Sequence, residues 1–317
     1  LTPLYITDSF TTWALRGLAE KQGKSRLSQI SDLIDWSPIR RKLDEMHDNK
    51  SEKGGKPNCD VILMFKILII QQWYGLSDLG VERQMADRIS FMSFFGFPDP
   101  FPDSRTIWLF RERMAKTGKD EVVWGELQKQ LDAMGLKVKR GTIQDATFIK
   151  ADPEKSEKYS DGVAKTRHSR DGTWTKKGKK SYFGYKCHQS KSDIDYGLIR
   201  EIETTTAKVH DSRVDLSIEG EVVIRNRGYF GMPARGDDFT MVRRTTDAPL
   251  GELDKERNRL ISRLRSPGER PHAVIKRVFG AGRVLVTTVR RVHVKIMVTA
   301  FAFNLYQLCT LNNARNI

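Results

Sequence analysis

Between residues 61 and 75 the chain reads VILMFKILIIQQWYG, an almost unbroken apolar run that stops at a glycine. Its length and its ending predict a core helix closed at Gly75. Lys66 interrupts it, and it is too short to span a bilayer. Ser77 can cap a second helix over 78–89. The aromatic and proline-rich FMSFFGFPDPFPD (91–103) predicts a turn region, after which Asp103 or Ser104 caps a third helix over 104–118. The residues before 57 are mixed and charged, and DNKSEKGGKPN (48–58) has a loop's composition.

After about residue 138 the period changes. GTIQDATFI (141–149) alternates as a strand does. SYFGYKCHQS (181–190) and YGLIREIETTT (196–206) predict a hairpin turning near 191–195, EVVIRNRGY (221–229) a fourth strand and DFTMVRR (238–244) a fifth. Helical patterns fall near 211–219, from about 267, and over 289–312. An antiparallel trio, a helix, and then further strands with helices is the order of an α/β nuclease fold. The expected organisation is therefore a helical domain over 1–138 and an α/β domain over 139–317. Residues 150–180 form a long, lysine-rich loop in the second domain, and a loop of that length inside a domain is usually functional or disordered.

Charge narrows the partners. The 317 residues hold 55 Lys plus Arg against 40 Asp plus Glu, a net charge of +15, with an isoelectric point near 9.7. That excess points first to nucleic acid and second to an anionic membrane surface. Three short helices with basic outer faces suit a DNA-contacting domain as well as a plain packing bundle. Trp174, inside a basic run, can stack on a base or anchor its loop. Cys59, Cys187 and Cys309 are isolated, which argues against a disulfide framework or a zinc knuckle and fits a reducing compartment. LTPLYITDSF at the start lacks the pattern of a signal peptide.

Two acids stand in odd settings. Asp145 lies mid-strand, where aspartate is disfavoured. Glu269 is the single acid among ten Lys and Arg residues between 257 and 291. Ser266-Pro267-Gly268-Glu269 also reads as a capping box, so cap and carboxylate ligand both remain open for Glu269. Two distant carboxylates on a basic chain suit metal-assisted phosphodiester chemistry, in which hard divalent ions take oxygen ligands. Such a site usually needs a third acid, at the end of a strand beside that of Asp145. Asn226 stands there instead. Asp211 is read as an N-cap with His210 packed beside it, and Cys187 with His188 is rejected as a nucleophilic pair because strand neighbours face opposite sides.

Six stretches in order resemble the insertion-sequence DDE transposases, in particular the group typed by insertion sequence five. They are PDSRTIWLFRERM (102–114), QDATFIKAD (144–152), KKGKKSYFGYKCH (176–188), TTTAKVHDS (204–212), RNRGYFG (225–231) and ERPHAVIKRVFG (269–280). The resemblance covers about 60–310. It implies an RNase H-like mixed sheet flanked by helices behind a helical N-terminal domain for DNA binding and dimerisation. It makes Asp145, Asn226 and Glu269 the catalytic, metal-holding positions, with two Mg²⁺ or Mn²⁺ ions. Arg265 and Lys276 fit its R-x3-E-x6-K spacing, with Ser262 where the family has tyrosine. Seven residues are about two helical turns, which would put Glu269 and Lys276 on one face. Expected DNA contacts are Lys276, Arg265, Lys176, Lys177, Lys179, Lys180, Trp174, Arg105 and Arg111. The implied activity is cleavage at terminal inverted repeats and strand transfer into target DNA by a homodimer, in a prokaryotic, nucleoid-associated cytoplasmic setting and away from membranes. Asn226, in place of the family's second Asp, implies impaired catalysis. A domesticated, non-catalytic DNA-binding protein is the alternative.

Overall fold

A computed structural model describes Gly17 and residues 25–47, 58–153, 171–191, 196–245 and 249–315. The turn expected at 191–195, almost all of the loop at 48–58 and most of the basic loop at 150–180 lie outside the described residues. The chain divides into two compact units. One holds residues 1–134 together with 297–317, the other 135–296. The last 21 residues thus sort with the N-terminal helices, a division that a single boundary at 138 does not give.

The helical unit carries α1 (Arg26–Leu33), α2 (Trp36–Asp44), α3 (Val61–Tyr74), α4 (Asp78–Asp87), α5 (Ile89–Phe95), α6 (Ser104–Thr117) and α7 (Lys119–Ala133). α3 is buried nearly all round, as a helix without a polar face must be. Asp60 opens it by accepting from the backbone N–H groups of Ile62 and Leu63, and Gly75 closes it at φ 64°. Lys66 stays inside by donating to the Phe94 carbonyl at 3.0 Å and lying over the Trp36 and Phe94 rings; burial pushes its pKa down to about 8. α5 lies within the stretch read as a turn region, because Phe91, Phe94 and Phe95 form one buried helical face. α10 (Val289–Arg315) supplies the rest of this core from residue 297 onward. Phe301 packs edge-on against Phe65 at 5.0 Å, and Tyr306 packs against Trp73 at 5.7 Å. α10 is long and apolar enough to cross a membrane by length and composition, but its Phe301, Phe303 and Leu305 are buried inside the protein.

Among its described residues the second unit holds a six-stranded mixed sheet: β1 (Thr142–Lys150), β2 (Thr173–Lys177), β3 (Lys180–Lys191), β4 (Ile199–Thr206), β5 (Val222–Arg225) and β6 (Asp237–Thr240). β3 pairs antiparallel with β1, β2 and β4, while β5 and β6 run parallel to β1. β2 arises inside the segment read as loop. The fourth and fifth strands are shorter than expected, and only one 3-10 turn (Asp211–Arg213) stands where a helix near 211–219 was expected. α8 (Glu252–Arg265) had no counterpart in the sequence reading. It lays Ile261 against Ile143 and Ile224, and the Asn258 amide pins the backbone of Val242 through both of its polar atoms.

His188, on β3, is fully buried and bonded to Thr205 Oγ1 at 2.9 Å. Burial pushes its pKa from the ordinary 6.5 to about 4. The unfolded chain therefore takes up a proton that the folded chain refuses between those values. Stability should fall as pH drops from about 6.5 toward 4. Thermal melts at pH 7 and pH 5 should show this loss in the parent and a smaller one in His188→Gln. An equal loss in both would remove His188 as its source.

Candidate active site

β1 and β5 run parallel in the register Gln144 opposite Arg225, so their next residues, Asp145 in the middle of β1 and Asn226 just past the end of β5, lie side by side. The side chain of Asn226 accepts from Gly228 N–H at 2.6 Å and caps the 3-10 turn Arg227–Tyr229. A backbone N–H can only donate, so the oxygen faces the turn and the amide NH₂ faces outward. That NH₂ donates to Asp145 Oδ1 at 3.0 Å. The same oxygen accepts from Ala146 N–H, also at 3.0 Å.

The other oxygen of Asp145 accepts from Arg265 Nη1 at 3.0 Å, and Arg265 Nη2 donates to Glu269 Oε1 at 3.1 Å. One guanidinium thus joins two carboxylates 124 positions apart in the chain. Arg265 is the last residue of α8, and a 3-10 turn carries the chain into α9 (Glu269–Ala273). The capping box is not formed. Ser266 has helical φ −53° and ψ −42° and no cap bond, because the helical backbone passes without a break from α8 into the 3-10 turn that Ser266 opens. Glu269 is left with its side chain 63% exposed and directed to Arg265.

His272, one turn beyond Glu269, is buried. Its ring contacts Gln189 Nε2 at 3.0 Å and comes within 3.9 Å of Asp145 Oδ2. Gln189 lies directly across the ladder from Asp145. Neither was singled out from sequence. The i, i+3 spacing of Glu269 and His272 was a usable signal, but the place of Gln189 needed the strand register. Arg225 was likewise missed as more than a strand residue. Its side chain is 1% exposed and donates to Thr240 Oγ1, the Met232 carbonyl and Asp238 Oδ2 at 2.7–2.8 Å, tying the loop after Asn226 to β6.

Lys276 lies in a π-helical turn, Val274–Val278, that widens α9, so the run from Glu269 to Lys276 is not the uniform α-helix on which a shared face was expected. Burial lowers the pKa of Lys276, and Lys177 pushes in the same direction. Lys176, Lys177, Lys179 and Lys180 are exposed on the β2–β3 hairpin, with Trp174 exposed and packed on Phe183 at 5.4 Å. Arg105 is exposed at the start of α6. Arg111, also expected to contact DNA, lies on α6. Its guanidinium grips Asp78 bidentately at 2.8 and 2.9 Å and is 16% exposed. Arg265, also read as a DNA contact, is held by the two carboxylates. At the other expected cap, His210 rather than Asp211 accepts from Ser212 N–H, and Asp211 pairs with Lys186 at 2.7 Å. Cys187 is buried and its pKa is pushed up to about 12.

The donor set fits a hard divalent cation only in part. Asp145 and Glu269 supply two carboxylates, which is enough for one ion that keeps most of its water. Asn226 adds no charge, and its oxygen is already bonded to Gly228. A pair of ions is not matched by these residues.

Residues 17–113 match the family described as Transposase domain (DUF772), and residues 136–305 match the family described as Transposase DDE domain. No solved structure matches the chain.

Proposed function

Since the chain belongs to the DDE transposase family, matched over more than half its length, we propose that it is an insertion-sequence transposase of the insertion-sequence-five-like group whose phosphodiester chemistry is crippled by Asn226. The observation that carries this reading is the meeting of three distant positions, Asp145 within β1, Asn226 just past the end of the parallel β5, and Glu269 at the start of α9. The strand order, three antiparallel strands followed by two parallel to the first, supports an RNase H-like assignment.

A divalent ion held by Asp145 and Glu269 would supply positive charge for activating a water and stabilising the leaving oxygen. The chain's own residues do the rest. Arg265 sets the spacing of the two carboxylates, Lys276 holds a phosphate beside them, and Asn226 orients Asp145 through its N–H. Because that N–H takes up an oxygen lone pair that a metal would use, the same contact favours the second reading, a domesticated DNA-binding protein without catalysis. The helical unit is assigned to recognition of terminal inverted repeats and to homodimerisation, and the sheet unit to strand cleavage and transfer into target DNA, in the nucleoid of a prokaryotic cytoplasm.

Binding tests both readings together. With many phosphate contacts, affinity for duplex should fall by about 10³-fold between about 50 and 200 mM salt. A duplex carrying the element's terminal repeat should bind more tightly than random duplex throughout. A flat salt response, or equal affinity for both duplexes, would defeat the proposal.

A further inference from the structure

α8 meets the sheet along a narrow stripe, Asn258 and Ile261 with part of Leu264. Its opposite side is exposed and patterned. Leu253 is 83% exposed and Leu260 56%. Seven residues separate them, about two helical turns, so they stand on one line along the helix. A single exposed leucine needs no explanation, but two at this spacing form the start of a seam through which helices pair. Glu252, Glu256, Arg259 and Arg263 are exposed along the flank beside that line, at i, i+4, i+7 and i+11. Their signs are sorted: both acids lie in the first half of α8 and both arginines in the second. Glu252 also holds Lys255 at 2.6 Å, whereas Glu256, Arg259 and Arg263 make no ion pair among the described residues.

This order of charge selects the occupant. A polyanion laid on the face would meet Glu252 and Glu256. A parallel copy of α8 would set like charge on like. A copy turned end over end does neither. With a two-fold axis midway between residues 257 and 258, Glu252 stands opposite Arg263 of the partner subunit and Glu256 opposite Arg259 of the partner subunit. One register satisfies both pairs. A two-fold axis also keeps each flank of the helix beside the same flank of its copy, so leucines meet leucines while charges meet charges. In this register Leu253 lies two residues, roughly 3 Å of helix rise, from the level of Leu260 of the partner subunit.

We propose that the outer face of α8 docks antiparallel on the same face of a second copy of this chain, through Leu253 and Leu260 and the crossed pairs of Glu252 with Arg263 and Glu256 with Arg259. This contact belongs to the sheet unit and is separate from the homodimerisation assigned to the helical unit. One helix of roughly 21 Å offers less than the about 800 Å² per partner of a standard interface, so the contact is weak and reversible. Sedimentation velocity of the full chain over about a hundredfold range of concentration follows it. Glu256→Arg sets arginine against arginine across the axis, and Arg259→Glu sets glutamate against glutamate. Each alone is expected to associate about tenfold more weakly than the parent. Mixed in equal amounts, the two variants should associate about as tightly as the parent, because both crossed pairs are then opposite in sign. Damage to folding cannot produce that recovery. Equal association of parent and variants, or no gain on mixing, would overturn the proposal. A photoreactive side chain placed at Leu253 should cross-link to residues 259–263 of an isotope-labelled second copy. Cross-links between copies found only at other segments would overturn it as well, including where the chain dimerises through its helical unit. No DNA enters these measurements. Their failure therefore leaves the transposase reading standing, and loss of end binding leaves this contact standing.

Discussion

Asn226→Asp is expected to cut element-end DNA on the order of 100-fold or more faster than the parent in Mg²⁺ or Mn²⁺, given that metal stabilisation of developing charge is worth several kcal/mol. The reason lies in the 3.0 Å bond from the Asn226 amide to Asp145. Replacing NH₂ by a second oxygen leaves the shape of the turn intact, since aspartate caps as well as asparagine and Gly228 N–H keeps its acceptor. It also sets two carboxylate oxygens face to face. Such a pair resists joint ionisation unless a cation or a proton lies between them. Without metal the variant should therefore melt below the parent, by about 1–2 kcal/mol for the lost hydrogen bond and the repulsion. Divalent ion should restore it, whereas the parent should barely respond. Adding Glu269→Gln to the variant should return cleavage to the parental level with little change in melting. Equal cleavage by parent and Asn226→Asp would show that position 226 is no ligand. A melt of the variant indifferent to metal would contradict the electrostatic account.

Asp238→Ala is expected to cost about 2 kcal/mol or more, a large effect for a residue on a short edge strand. Its carboxylate meets Arg225 at 2.7 Å, and the Arg225 side chain is 1% exposed. Removing an acid from a buried pair leaves the cation without its main counter-charge. Such losses reach about 3–5 kcal/mol. The low end is expected here, because Asp238 is itself 38% exposed and partly screened, and Asp215 remains 3.9 Å away. Removing both partners, as Arg225→Met with Asp238→Ala, should cost less than the sum of the two single losses. Denaturant titration of the four proteins measures this. Strict additivity would mean that the pair is not a unit. Arg225 also holds the Met232 carbonyl, so the single variant should shift the loop that follows position 226.

The sequence was most readable where a local rule and the tertiary fold agree. α3 ends at Gly75 and α6 begins at the Asp103 cap because those signals lie within one turn of chain. Asp145 stood out because aspartate is rare in strands, and the fold sets it within β1 beside Asn226. α8 was not readable in the same way. Glu252–Arg265 is rich in charge, and its buried face consists of Asn258 and Ile261 with part of Leu264, a stripe too thin to signal a helix. The capping box failed for the opposite reason. The motif was good, but the helical backbone passes without a break from the preceding helix into the turn that Ser266 opens and leaves no extended cap residue. Asn226 was found by position, yet which of its atoms faces Asp145 depended on Gly228, and Gln189 depended on strand register.

The division of the chain bears on how it is made. α10 completes the helical core with Phe301, Leu305 and Leu308. Domains emerging from the ribosome generally fold as units, N-terminal first. Here the helices synthesised first have their apolar α3 short of Phe301 and its neighbours until the segment from residue 297 onward has emerged. The sheet unit, contiguous from 135 to 296, can close before them. A nascent chain stalled or truncated before residue 297 would carry a finished sheet and an unfinished helical unit. Its apolar α3 would stay exposed where Phe301 otherwise covers Phe65.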